Sequence, residues 1–124
     1  MPTHSKKPYE IRERTFLFAC DVTRAALKLH TRGRIAGELS VQLVSAAVSS
    51  ASNLEESDDA SSDRDFRAKE RISLRELKEA RLRLRVLRYV DLLPQDGALI
   101  HESTELVKIV ATIIRKNAEN ETRR

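Results

Sequence analysis

Aromatic residues are scarce in this sequence: they make up 4% of it, and tryptophan is absent. The chain also has only 3 glycines, 3 prolines and 1 cysteine. So little glycine excludes a glycine-rich phosphate loop. The single cysteine, Cys20, excludes an internal disulfide and is typical of a reducing compartment. The core must therefore be mostly leucine, isoleucine, valine and alanine, as in helix bundles.

Long apolar runs are missing as well. No segment approaches the roughly 20 apolar residues of a membrane helix, and the first residues contain no apolar run long enough for a signal peptide. We therefore expect a cytoplasmic protein that does not bind a membrane. With 124 residues, 40% of them hydrophobic and 34% charged, the chain is long enough for one domain that buries about two-thirds of its unfolded surface.

Apolar residues recur at helical spacing in four segments. The first helix is predicted over residues 10–29, with Gly33 as a left-handed cap, and the second over residues 34–54. The third begins at Ser62, and the fourth follows a tight connection at residues 94–97. The expected core positions, helix by helix, are Ile11, Phe18, Val22, Ala25 and Leu29; Ile35, Leu39, Leu43, Ala46 and Ser50; Phe66, Leu77, Ala80, Leu84 and Leu87; and Leu99, Leu106, Val110 and Ile113.

Short connections between helices of similar length predict an all-α fold, an up-down-up-down antiparallel four-helix bundle. We assign the bundle to residues 10–117, a flexible arm to residues 1–9 and a frayed tail to residues 118–124. The second helix is rich in alanine and serine, which let other helices approach closely. Asn53, near its end, is assigned a structural role, either bonding a neighbouring backbone group or capping the helix.

Sequence motifs that would indicate a metal site or a catalytic site are weak. The acidic segment 55–65 lacks the ligand spacing and turn glycine of an EF-hand loop, so a solvated loop with helix capping is favoured over a cation site. The histidines are scattered, and no Cys or His stands near Cys20 at ligand spacing. We predict no metal, no cofactor and no enzymatic activity.

The chain resembles the four-helix-bundle family of 23S ribosomal RNA intervening-sequence proteins over roughly residues 10–117. The motifs of the second helix that carry the resemblance are Gln42-Leu43, Ala46-Ala47-Val48-Ser49, Asn53-Leu54 and Glu56. Those of the third helix are Phe66, Lys69, Ser73-Leu74, Lys78-Glu79-Ala80-Arg81 and Leu87-Arg88. The chain departs from the family pattern at Ser45, Ser57 and Arg85-Val86.

The resemblance implies a homopentamer of four-helix bundles. Related proteins include the accessory variability determinant of diversity-generating retroelements, a basic pentamer that associates with nucleic acid and a reverse transcriptase. Members are often encoded inside insertions in 23S ribosomal RNA genes. The resemblance brings no enzymatic activity and no catalytic residues.

The third helix carries the strongest functional candidate. It has nine basic residues between positions 67 and 88, in a chain with a net charge of +4. Seven fall within an arc of about 140° on a helical wheel: Arg67, Arg71, Arg75, Lys78, Arg81, Arg85 and Arg88. Such a stripe would suit the phosphates of RNA or DNA, without base-specific reading.

Two other interpretations of the third helix remain open. The same bases could pair with the 55–65 segment of a neighbouring subunit, or with Glu102 and Glu105, or simply be solvated. Leu74, Leu82 and Val86 lie away from the core stripe and form a candidate oligomer contact, unless two neighbouring helices simply cover a wide arc. The sequence therefore supports a nucleic-acid-associated protein, or alternatively a structural or adaptor oligomer that binds a protein partner.

Overall fold

The computed structural model describes residues 10–94 and 97–124. These residues form four helices: α1 (Ile11–Leu29), α2 (Arg34–Ser57), α3 (Asp63–Tyr89) and α4 (Ala98–Arg123). The predicted arm at residues 1–9 lies outside the described residues. Among the described residues, no helix combines the length and apolar character that a membrane span needs.

Each helix packs against the next one along the chain, and α1 also contacts α4 to close the bundle. The α1–α4 seam is the least extensive of the four. Over the described residues, the main chains of α1 and α3, and those of α2 and α4, do not approach closely. The predicted all-α, up-down arrangement is confirmed.

The core is aliphatic, as the composition predicted. Four predicted positions of α3, Leu77, Ala80, Leu84 and Leu87, are fully buried. They meet a cluster from the other helices that comprises Phe18, Ala19, Val22, Leu29, Leu43, Ala46, Ala47, Leu54, Leu106, Val107 and Val110.

The seam between α2 and α3 is narrow because small side chains line it. Ser73 on α3 donates its hydroxyl hydrogen bond to the main-chain carbonyl of Ser50 on α2, at 2.8 Å. Ser50 and Ala47 are fully buried beside it. A side chain as short as serine spans two helices only where their backbones lie close together, so the prediction of a close-packing helix is confirmed at this seam.

The start of α3 follows the predicted cap. The hydroxyl of Ser62 accepts a hydrogen bond from the Asp65 main-chain nitrogen at 3.0 Å. The Asp65 carboxylate in turn accepts from the Ser61 nitrogen at 3.3 Å, one residue earlier than in a standard capping box. Both bonds satisfy main-chain donors that a helix start leaves open.

Several predicted boundaries were wrong. Helix α2 continues past Leu54 to Ser57, which is buried in its last turn. Gly33 has φ +118°, but it precedes α2 as its N-cap instead of ending α1. Helix α4 continues past the predicted tail boundary to Arg123.

Two core assignments and one predicted oligomer contact also need correction. Ile35 is 74% exposed, and the next residue, Ala36, is buried in its place. Phe66 is only partly buried at the edge of the bundle. Leu74, predicted as an exposed oligomer contact, is partly buried and packs against the core cluster.

Candidate polyanion-binding surface on the third helix

The outer edge of α3 is exposed because α2 covers one flank of the helix and α4 the other. Helix α3 is rich in leucine, arginine, lysine and glutamate, which have high helix propensity. Its buried positions recur at helical spacing, so the opposite positions must face solvent. Arg71, Arg75, Lys78 and Arg85 are all exposed there.

The structure divides the seven predicted bases into two groups. Arg67 turns toward α4, where it donates to Asn117 at 2.8 Å and pairs with Glu121 at 2.6 Å. Its side chain is only 13% exposed. Arg88 also lies toward α4, with its guanidinium over Gly97, and Arg81 is half-buried. These three bases do not belong to the outward set.

Arg64 joins the four outward bases. It is exposed and stands seven residues before Arg71, so the two share a face of the helix. Arg64 was not among the predicted bases, because it lies within the acidic segment 55–65. We call Arg64, Arg71, Arg75, Lys78 and Arg85 the basic edge. It runs for about 32 Å at 1.5 Å per residue.

The basic edge carries little compensating negative charge from its own chain. Arg75 lies 3.8 Å from the neighbouring Glu76 and is 69% exposed, which makes that ion pair weak. The other four bases form no ion pair with any residue that the structure describes. The positive potential of the edge is therefore available to a partner.

Several acids that could have neutralised the edge are paired with other bases. Glu102 accepts two hydrogen bonds from Arg14 of α1, each at 2.8 Å, and this pairing raises the pKa of Arg14. Glu105 lies 3.5 Å from Lys108 on its own helix. Three of the six acids of the 55–65 segment are also paired within the chain, as Arg12–Asp58, Lys69–Glu56 and Arg124–Asp63.

The C-terminal half of α3 presents apolar side chains beside the last base of the edge. Leu82 is 51% exposed and Tyr89 is 89% exposed, with Val86 and Val90 exposed next to them. We call Leu82, Val86, Tyr89 and Val90 the α3 patch. Its residues line a shallow depression together with Arg85. Tyr89 and Val90 were missed in the sequence, although they continue the spacing of Leu82 and Val86.

A second exposed apolar surface lies on α1 and α2. Phe16 and Val48 line a groove between these two helices, with Cys20 half-buried beside them. Leu27 and Val41 are exposed at helical spacing from Phe16 and Val48, respectively. We call this surface the α1–α2 groove. It lies on other helices than the α3 patch.

One buried carboxyl has no role at either surface. Glu70 is 3% exposed, and one of its oxygens accepts a hydrogen bond from the Ser57 hydroxyl at 2.6 Å. Its other oxygen, Oε1, has no hydrogen-bond partner among the residues that the structure describes. Burial raises the pKa of Glu70, although the Ser57 hydrogen bond and the charge of Arg12 act in the opposite direction.

The remaining candidate residues lie apart. The Asn53 amide donates to the Ser49 carbonyl at 2.9 Å, within α2 and not at its end. No group of three His, Cys, Asp or Glu side chains in the described residues is arranged to hold a metal ion.

In the part of the chain that the structure describes, these features define a class: an up-down four-helix bundle with one long positive edge and two exposed apolar surfaces. The fold matches a crystal structure of a protein with unknown function from the S23 ribosomal protein family of Bacteroides thetaiotaomicron. The TM-score is 0.79 at 23% identity, over 85% of this chain and 98% of that chain. No family model and no curated protein matches this chain. The match establishes a shared fold, which is the fold that the family resemblance predicted.

Proposed function

We propose that this protein is a non-enzymatic, nucleic-acid-associated bundle whose basic edge binds the phosphate backbone of RNA or DNA. The observation that carries the proposal is the basic edge itself: four of its five bases have no acidic partner in the described chain. An exposed positive stripe of this length is the electrostatic footprint of a phosphate-binding surface.

The expected mode of binding is non-specific. The edge is one face of a helix packed on a bundle, and arginine and lysine there would contact phosphates without reading base edges. Tyr89 is the only aromatic residue exposed beside the edge in the described part of α3, which argues against stacking of single-stranded bases. If all five bases met phosphates of duplex DNA, the salt dependence would have a slope of about −4.5. Binding would then weaken about 500-fold between 50 and 200 mM salt.

The protein would act as an oligomer of several bundles. The α3 patch and the α1–α2 groove are two different apolar surfaces, which suits a head-to-tail contact better than a symmetric dimer. Head-to-tail contacts form a ring when the rotation between successive copies closes, and the family resemblance implies a pentamer. Repetition of the basic edge around a ring would strengthen a weak contact through avidity.

A structural or adaptor oligomer is the second candidate, and Arg85 favours it. This base stands among the exposed apolar residues of the α3 patch. Arg85 could meet Glu55, an exposed acid that lines the α1–α2 groove, on a second copy. In this case the apolar half of α3 would serve assembly, and the ring would present its outer surface to a protein partner.

A charge-reversal experiment separates the two candidates. The variant Arg71→Glu/Arg75→Glu/Lys78→Glu changes the basic edge away from the α3 patch. The control Arg32→Glu/Lys116→Glu/Arg123→Glu changes the net charge equally at exposed positions on other segments. Fluorescence anisotropy with labelled duplex RNA and DNA measures binding at two salt concentrations, and light scattering after gel filtration measures assembly.

We expect the edge variant to lose binding and to keep its oligomeric state. For duplex DNA, its residual salt slope should be smaller by about 2.7, because three phosphate contacts are removed. Equal losses in both variants would indicate a diffuse charge effect and refute the basic edge as the site. A second variant, Arg85→Glu, changes the base inside the α3 patch, and its dissociation into monomers would favour the adaptor candidate.

A further inference from the structure

An apolar pocket of about 370 Å³ lies at one end of the bundle. No residue of the basic edge lines this pocket. It lies where α1 and α3 end and α4 begins. Its floor is formed by Leu29 and Leu84, which are buried core residues. Leu92, Leu93 and Leu99 form its walls and pack against the core while remaining partly exposed.

The turn after α3 creates one wall of this pocket. Asp91 has a left-handed conformation with φ +64°. Its nitrogen donates to the Arg88 carbonyl at 3.1 Å, and the Leu92 nitrogen donates to the Leu87 carbonyl at 2.8 Å. This pair of bonds is a Schellman motif. It turns the chain so that Leu92 and Leu93 cross the end of the bundle.

Small side chains keep the pocket open. Ala25 on α1 and Ala98 at the start of α4 both line it, and each contributes only a methyl group. A larger residue at either position would occupy the space between the leucines. The void is thus a consequence of particular side chains and not of a gap between distant helices.

The rim of the pocket is positive. Lys28 and Arg32 line it, four residues apart at the end of α1, and both are exposed. No acidic residue is among the described residues that line the pocket. An apolar interior with a cationic mouth complements a molecule with an aliphatic chain and an anionic head.

We propose that this pocket binds a free aliphatic carboxylate, a fatty-acid-class anion of medium chain length. The chain lies among the leucines, and the carboxylate pairs with Lys28 and Arg32 at the mouth. This inference does not depend on nucleic-acid binding, because the basic edge and the pocket share only the α3 scaffold.

Calorimetric titration with decanoate, below the concentration at which it forms micelles, tests the proposal. Octanoate tests the effect of a shorter chain. Decanol has a chain of the same length as decanoate but an uncharged head, and it tests the effect of the charge. We expect one site per chain, with affinity rising about fourfold for each methylene that is buried. Decanol should bind at least tenfold more weakly than decanoate, because it cannot form the charge-assisted contacts.

Two variants locate the site. Lys28→Glu/Arg32→Glu should weaken decanoate at least tenfold and leave decanol unchanged. Ala25→Leu should weaken both ligands by filling the pocket, and circular dichroism checks its fold. Lys116→Glu/Arg123→Glu is the matched control, since it changes the net charge equally and both residues lie at least about 27 Å along α4 from Ala98.

Three outcomes would overturn the proposal. One is the absence of decanoate binding to the unmodified protein. Another is equal binding of decanoate and decanol, which would remove the role of the cationic mouth. The third is an equal loss in Lys28→Glu/Arg32→Glu and Lys116→Glu/Arg123→Glu, which would indicate detergent-like association with a positive surface. If Ala25→Leu fails to fold, the charge variants still decide the question.

Discussion

A size series at Ser73 would test whether small residues set the α2–α3 seam. Ser73→Ala removes the hydroxyl that bonds the Ser50 carbonyl. The Ser50 carbonyl still accepts its main-chain hydrogen bond within α2, so we expect a loss of only about 1 kcal/mol in the free energy of unfolding. Ser73→Leu loses the same bond and places a bulky side chain where Ser73 is fully buried. Overpacking of this kind costs about 1–3 kcal/mol, which brings the total to about 2–4 kcal/mol.

Urea unfolding followed by circular dichroism measures both variants. For a slope of about 2 kcal/mol per molar urea, a loss of 3 kcal/mol lowers the midpoint by about 1.5 M. The same substitutions at exposed Ser45 on α2 are the control, and each should change stability by less than about 0.5 kcal/mol. A leucine at position 73 that cost no more than alanine would refute the close approach of the two helices.

Three further variants test other parts of the structure. Because burial raises the pKa of Glu70, the native state holds its proton to a higher pH than the unfolded chain does. The resulting stability is fully present below the ordinary glutamate pKa and is lost as pH rises through the raised value. Urea unfolding at acidic and neutral pH should therefore show that the stability of Glu70→Gln increases relative to that of the wild type as the pH rises. A stability difference that does not change with pH would contradict this. Gly97→Ala should lower stability by about 1–2 kcal/mol in thermal unfolding, because Gly97 has φ +66° and the new methyl would meet the Arg88 guanidinium; an unchanged melting temperature would count against it. Glu102→Gln should cost about 0.5–1 kcal/mol, since its pair with Arg14 is partly exposed. A double-mutant cycle with Arg14→Gln should give a coupling energy that falls with added salt, and a salt-independent value would argue against an ionic contact.

The helices could be predicted from the sequence because their signals are local. The spacing of Leu77, Ala80, Leu84 and Leu87 defines one face of a helix at any position in a fold. The Ser62 cap acts within a single turn and was also predicted correctly. The small residues of α2 indicated a close helix contact, which the hydrogen bond from Ser73 to the Ser50 carbonyl confirms.

The division of the basic residues could not be predicted in the same way. A helical wheel places Arg67, Arg71 and Arg88 on one broad face, but it does not show how far the next helix reaches around that face. Helix α4 covers the flank occupied by Arg67 and Arg88 and leaves Arg71 in solvent. The boundaries of the candidate site therefore depend on contacts between segments far apart in the chain.

The sequence by itself determined the four helices, the Ser62 cap and the aliphatic character of the core, because periodicity and capping are properties of neighbouring residues. Only the tertiary structure decided that Ala36 is buried in place of Ile35, that Glu70 lies inside the bundle, and that three helix ends enclose an apolar pocket. The physical reason is that burial depends on which distant segment lies against a side chain. Helical spacing defines the direction of each side chain from its own axis, and packing decides what that side chain meets.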